Sequence, residues 1–246
     1  MFRFFCIFMF GINEKINFAQ NQSSTMDAKL FLMAGCLTGI VSACMHEKSD
    51  DASDIQKVVH ALVLEADSLM QSDSLFWNRP IDKSHPQVCI HDSLIRQKLD
   101  SAIALHPDKQ TYLLKYRYLL QSWRLSEVLD LLREMDRCMS DSMSSELLHL
   151  KAVLEDYKGD TLTARRDFLR ADSAYTIKIQ QVAQDSLMYG FARIEKALNL
   201  SLMQNDFCSL HEEIAFYERV HSSSINGIEQ WKQITDKAAY YRKMFE

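Results

Sequence analysis

His211, Glu212 and Glu213 begin a pattern that could hold a zinc ion, since a metal-binding helix presents two histidines one turn apart around a glutamate. The second histidine is missing, because position 215 is alanine. His60 meets Leu64 at the same spacing, and His149 meets Val153. His85, Cys89 and His91 lie close in sequence, but in a proline-broken stretch with no fourth ligand and no known zinc spacing. Ser222–Ser224 has no nucleophile elbow around it, and no glycine-rich loop is spaced to cradle a phosphate. Adjacent carboxylates such as Asp50-Asp51 and Glu212-Glu213 diverge on a helix and read as solvated charge. The sequence predicts no catalytic residue, no cofactor and no metal.

The residue with the clearest chemistry is Cys44. Residues 26–44, MDAKLFLMAGCLTGIVSAC, open with a basic residue, Lys29, followed by the twelve uncharged residues Leu30–Val41. That run is too short to span a bilayer and has the order of a secretory signal. Small residues, Val41-Ser42-Ala43, precede Cys44 directly. The arrangement resembles a bacterial lipoprotein box, which implies a diacylated Cys44 thiol and cleavage that leaves this cysteine first. Met33-Ala34-Gly35-Cys36 fits the same pattern, but only Leu30–Leu32 stands before it as an apolar core. Phe2–Phe10 is a second apolar run ahead of a complete signal, so Met26 is the expected start and residues 1–25 an over-extended reading frame; the alternative is a single leader over 1–43. Residues 44–53 are polar and acidic and read as a flexible tether. An acidic patch just after the lipid cysteine resembles the surface-export signal of lipoproteins from Bacteroidetes-type bacteria. The resemblance implies a bacterial envelope protein anchored to the outer membrane, on its periplasmic face or at the cell surface.

Removing residues 1–43 takes away Arg3, Lys15 and Lys29 against Glu14 and Asp27, which moves the net charge from −5 to −6. That balance argues against a nucleic-acid surface, which needs clustered Lys and Arg. Arg165, Arg166 and Arg170 do cluster, but Asp160, Asp167 and Asp172 interleave with them as on a solvated, salt-bridged helix face. Cys89, Cys138 and Cys208 are too scattered for a disulfide framework and are expected as small buried hydrophobes.

Only Gly159, Gly190, Gly227, Pro80, Pro86 and Pro107 interrupt the chain after Cys44, and no stretch alternates long enough to be a strand. The fold class is all-α. Val58, Leu62, Ala66 and Leu69 step along one face of the first helix. Further on, LQSWRLSEVLDLLREM (Leu120–Met135), YKGDTLTARRDFLRA (Tyr157–Ala171) and QNDFCSLHEEIAFY (Gln204–Tyr217) each place a polar turn before an amphipathic helix. LIRQKLDSAIALHP (Leu94–Pro107) reads as the second helix of an earlier hairpin.

These segments resemble the tetratricopeptide repeat, a helix–turn–helix unit of about 34 residues. Its first small position maps onto Ile95, Val128, Ala164 and Leu210, at intervals of 33, 36 and 46. The longest interval implies a longer hairpin or inserted turns around residues 177–190. Departures are that Ala164 alone is alanine, that Trp123 and Asn205 replace the turn glycine, and that an irregular insertion, Asp73–Asp92, splits the first unit. The resemblance implies stacked hairpins over 54–246, an α-solenoid with Ile225–Phe245 as a capping helix whose inner face is Ile228, Ile234 and Ala238. It also implies a partner-binding groove on the first helix of each hairpin, lined by Gln110, Leu113, Arg117, Gln121, His149, Val153, Tyr157, Glu195 and Asn199. The alternative architecture is an irregular α-bundle.

Two functions follow. One is a membrane-anchored interaction module that binds an envelope protein or peptide. The other is a lipid-anchored enzyme with a site assembled from dispersed residues. Converging titratable groups with shifted pKa would favour the enzyme, and an open groove without them the module.

Overall fold

The computed structural model describes residues 51–72, 86–184, 187–220 and 228–245. Cys44 and Cys36, the leader, the tether up to residue 50 and residues 73–85 of the insertion, with Phe76, Trp77 and His85, lie outside them. The described residues form helices α1 (Asp51–Ser72), α2 (Pro86–Leu105), α3 (Lys109–Gln121), α4 (Leu125–Cys138), α5 (Ser145–Tyr157), α6 (Thr161–Gln181), α7 (Leu187–Gln204), α8 (Cys208–Val220), α9 (Ile228–Lys232) and α10 (Lys237–Phe245). A 3-10 turn, Ser140–Ser142, joins α4 to α5. The fold is all-α, and no strand occurs among the described residues. None of the described helices is long and apolar enough to cross a membrane.

The chain divides into two compact units, one ending at Ala174 and one running from Tyr175, so α6 contributes to both. In the N-terminal unit, α1 packs on α2, α2 on α3, α3 on α4 and α4 on α5, and α1 also meets α3. Pro86 starts α2, where a proline's missing N–H costs nothing. Residues 86–92 of the expected insertion are therefore helical. Val88 is buried on the same face as Ile95, Leu99 and Ala102. On α1 the inner face is Val59, Ala66 and Met70; Ala66 is buried as expected, Leu62 and Leu69 are partly covered, and Val58, expected inside, is half exposed.

Three hairpin turns share one backbone solution. Trp123, Gly159 and Asn205 have φ of 58°, 90° and 57°, the left-handed region. The next N–H donates to the carbonyl five residues back, Arg124 to Leu119 (2.9 Å), Asp160 to Glu155 (3.0 Å) and Asp206 to Ser201 (3.2 Å). This is the Schellman closure of a helix C-terminus, and it is why a glycine suits the position. The four aligned positions Ile95, Val128, Ala164 and Leu210 are all buried. The long third interval is taken up by continuation of α6 to Gln181, the longer hairpin of the two expectations.

In the C-terminal unit α7 packs on α8, and α8 on α9. The expected single capping helix is two short helices. Asp236 accepts from Ala239 N–H (2.7 Å), Asn205 Oδ1 accepts from Lys237 N–H (3.0 Å), and the Ile234 carbonyl pairs with His211 Nε2 (3.0 Å). These side chains satisfy backbone groups that a continuous helix would have used. Ile228, Trp231, Ile234, Tyr240 and Met244 are buried, whereas Ala238 is exposed, so the inner face departs from the expected one. Cys89, Cys138 and Cys208 are likewise exposed rather than buried.

Candidate functional site

α5 is enclosed along most of its length, with Ser145 and every residue from Leu147 to Glu155 buried. Its partners are α4, which packs Val128, Leu129, Leu131, Leu132 and Met135 inward, and the start of α6 with Ala164, Phe168 and Ala171. Burying so long a helix also buries its charged pair, Lys151 and Glu155, which lie one turn apart. A charge taken from water needs partners, and α4 and α6 supply them.

Lys151 Nζ donates to Asp136 Oδ2 (3.0 Å) and to Asp167 Oδ2, and lies 3.7 Å from Glu155 Oε1. Arg170 donates in a fork to both oxygens of Asp136 (2.6 and 2.8 Å) and to Asp167 Oδ1 (3.0 Å). Arg133 Nε donates to Glu155 Oε1 (3.3 Å) and its guanidinium reaches Asp160 at 3.9 Å. The Lys151, Glu155 and Asp167 side chains are 3%, 0% and 0% exposed, so this is an interior network and not the solvated face expected around Asp167 and Arg170. An open cleft of about 430 Å³ lies over it, lined by Arg133, Asp136, Arg137, Lys151, Glu155, Asp160, Thr163 and Arg166.

The electrostatics follow from the partners. The Arg170 fork, reinforced by Lys151, holds the Asp136 carboxyl at about 2 against the opposing effect of burial. Burial works against the charge on Asp167, but Lys151 and Arg170 outweigh it and its pKa is lowered. Burial also opposes the charge on Lys151, and its bonds to Asp167 and Asp136 overcome that, so the ammonium is held charged. Glu155 moves the other way, because burial and the negative charge of Asp167 outweigh the pull of Lys151 and Arg133 and raise its pKa. Its Oε2 has no hydrogen-bond partner among the described residues.

The expected groove residues fall into two environments. In the N-terminal unit Gln110 and Tyr157 are exposed, and Leu113 and Gln121 are partly covered. Arg117 is partly covered and donates to Asp67 Oδ1 (2.8 Å), which ties α3 to α1. His149 is buried edge-on against Phe168, with ring centroids 6.1 Å apart, and Val153 is fully buried. In the C-terminal unit Asn199 is fully buried, and Glu195 is buried with Lys178 Nζ donating to it at 2.9 Å. These four enclosed side chains offer no open surface, a departure from the expected groove. The described His, Cys, Asp and Glu residues form no cluster of three that could hold a metal ion.

Of the cleft residues, sequence inspection had singled out only Asp160, Arg166 and the charged start of α6. The missed signal is Lys151 and Glu155 at i and i+4 in LLHLKAVLE, where the surrounding residues leave little polar face for them to occupy. No protein-family model, no curated protein and no solved structure matches this chain.

Proposed function

We propose that the chain is a lipoprotein of the bacterial envelope, anchored through Cys44, whose helical hairpins form a tetratricopeptide-like module that docks a partner protein. The observation that carries the docking part is the cleft of the N-terminal unit. Three helices hold guanidinium and carboxylate groups there in fixed positions at an open surface. Side chains ordered by a buried network lose little freedom on contact, which favours recognition. The repeated left-handed turns at Trp123, Gly159 and Asn205 support the hairpin plan.

The enzymatic reading draws on the titratable groups that converge beneath the cleft, where Asp136 and Asp167 are lowered and Glu155 is raised. Two features weigh against it. Glu155 Oε2 is sealed from solvent, where a general acid or base must reach its substrate. Lys151 is held charged by Asp136 and Asp167, where a nucleophilic lysine needs the opposite shift.

The test is site-specific photo-crosslinking in bacterial cells, with the probe at Arg137 in the cleft and at Gln110 on α3, beside fractionation of a Cys44→Ala variant. The expected result is one dominant protein adduct at Arg137 and loss of the variant from the membrane fraction. A folded protein that gives no adduct at either probe would overturn the docking reading. Membrane retention of Cys44→Ala would overturn the anchor.

A further inference from the structure

The charges around the cleft do not balance at its rim. At its floor Lys151 and Arg170 are matched by Asp136 and Asp167, and Arg133 donates to Glu155 at 3.3 Å. Arg133 also has Asp160 at 3.9 Å, a looser second pairing. Arg166 lies 3.7 Å from Asp167, a carboxylate already engaged by Lys151 and Arg170, and its side chain is 66% exposed. Arg137, in the last turn of α4, is exposed and has no ion pair among the described residues. Two guanidiniums therefore face the opening with unspent positive charge. Their forked donors suit carboxylates better than a point cation would.

The apolar surroundings narrow the ligand further. The turn that carries Asp160 has Tyr157 at one end, 50% exposed, and Leu162 at the other, 83% exposed. A free anion has no use for such side chains, whereas a peptide places carboxylates and apolar groups at alternating intervals. The cleft is built mainly from α4 and α6, so it is a different surface from the one formed by Gln110, Leu113 and Gln121 on α3.

We propose that this cleft binds an acidic segment of the partner protein, with Arg137 and Arg166 receiving its carboxylates and Tyr157 and Leu162 its apolar side chains. The inference rests on the docking function above and names the chemistry of the ligand. Association depends on ionic strength, because the receiving charges are solvent-exposed.

The experiment is fluorescence anisotropy with the full chain in detergent and a labelled peptide of alternating Glu and Leu, beside a Gln/Leu peptide of the same length. The expected result is binding of the acidic peptide that weakens with salt, and weaker binding of the neutral one. Arg137→Glu and Arg166→Glu each reduce affinity about tenfold or more, the loss expected for a charge-assisted hydrogen bond. Arg165→Glu, which reverses an exposed neighbouring charge outside the cleft, leaves affinity unchanged, and the melting temperature shows that each variant is folded. Equal binding of the two peptides, or affinity unaffected by Arg137→Glu and Arg166→Glu, would overturn the proposal. So would complete displacement by inorganic phosphate, or by phosphatidylglycerol vesicles, which would make the cleft a small-anion or headgroup site. If the peptide fails while the Arg137 probe still captures a partner in cells, the acidic chemistry falls and the docking function stands. If both fail, the docking function falls.

Discussion

The two units handle charge in opposite ways. In the N-terminal unit Lys151, Asp167 and Glu155 are enclosed, and their charges are settled by one another beneath an open cleft. In the C-terminal unit Lys178 pairs with the buried Glu195, but no network of enclosed charges is built around that pair, and Arg193 and Glu213 meet at the margin. Arg193 donates in a fork to Glu213 (2.8 and 2.7 Å) and lies over the rings of Tyr189 and Phe216, with both charged side chains a quarter or more exposed. Its interior is instead aromatic, with Phe191 and Tyr217 rings 5.3 Å apart and Tyr217 seated on Gly190. Marginal pairs add little stability and can be lost one at a time. An enclosed network cannot lose one member without stranding the others. Fixed polar chemistry is therefore found in the N-terminal unit, while the C-terminal unit has the construction of a packing element.

The largest effect expected from that contrast comes from Lys151→Met. Removing the ammonium leaves Arg170 as the one strong cationic partner of both Asp136 and Asp167, with the Asp167 Oδ2 side enclosed and unpaired, at a cost of about 3–5 kcal/mol in urea unfolding. Adding Asp167→Leu to Lys151→Met recovers much of the loss, because replacing the buried charges together removes the stranded one. A loss below about 1 kcal/mol for Lys151→Met would mean that the network is solvated like the Arg193–Glu213 pair of the C-terminal unit.

Packing dominates on the other side. A methyl group on Gly190 would lie 2.3 and 2.6 Å from two ring carbons of Tyr217, far inside contact distance. Gly190→Ala is therefore expected to cost about 1–3 kcal/mol by overpacking. In a double-mutant cycle with Tyr217→Ala, the two effects fall short of additive, since the second substitution removes the atoms that clash. Additive effects would show that the ring moves away freely.

Acid and base sharpen the contrast within the network. Asp136, held at about 2, gives stability that is present above its unfolded pKa and lost as pH falls toward 2. Asp167, also lowered, acts in the same sense. Glu155 is raised, so the native state binds its proton more tightly, and stability declines as pH rises through the folded pKa. Glu155→Gln replaces the carboxyl with a neutral amide of the same shape and removes the titration. Its urea midpoint should exceed that of the parent at about pH 8 and show no gain at about pH 5. A gain independent of pH would assign the effect to packing.

How much of this was legible in the sequence depends on range. Helix class and hairpin boundaries were readable, because helix-forming composition, Pro107, Gly159 and the capping residues act on their own neighbours. The turn role of Trp123 and Asn205 followed from alignment with Gly159, and all three have left-handed backbone. Burial was less readable. On α1 Ala66 was placed inside correctly and Val58 was not, because Val58 and Val59 are equivalent in hydropathy and only the packing against α2 chooses between them. The terminal helix was divided by caps from Asn205 and Asp236, and Asn205 is distant in sequence. The charged network was the least visible part. Asp136, Lys151 and Asp167 are three ordinary charges on three helices, and the chain does not state that they meet.

The smallest predicted effects concern the turns, and they compare the units at matched positions. Gly159 has φ of 90° and open space where a Cβ would stand, so Gly159→Ala introduces backbone strain alone, about 1 kcal/mol. Asn205 occupies the equivalent place with φ of 57°, but its side chain also accepts the first N–H of α10. Asn205→Gly relieves the backbone and forfeits that bond. A glycine in place of a capping residue costs only a few tenths of a kcal/mol, so the two terms nearly cancel. Asn205→Ala carries both penalties and should be the worse of the two by roughly 1 kcal/mol. Thermal unfolding of the three variants separates the contributions. If Asn205→Gly is instead as damaging as Asn205→Ala, the bond to α10 outweighs the turn, and the C-terminal unit depends on that strap more than on its backbone geometry.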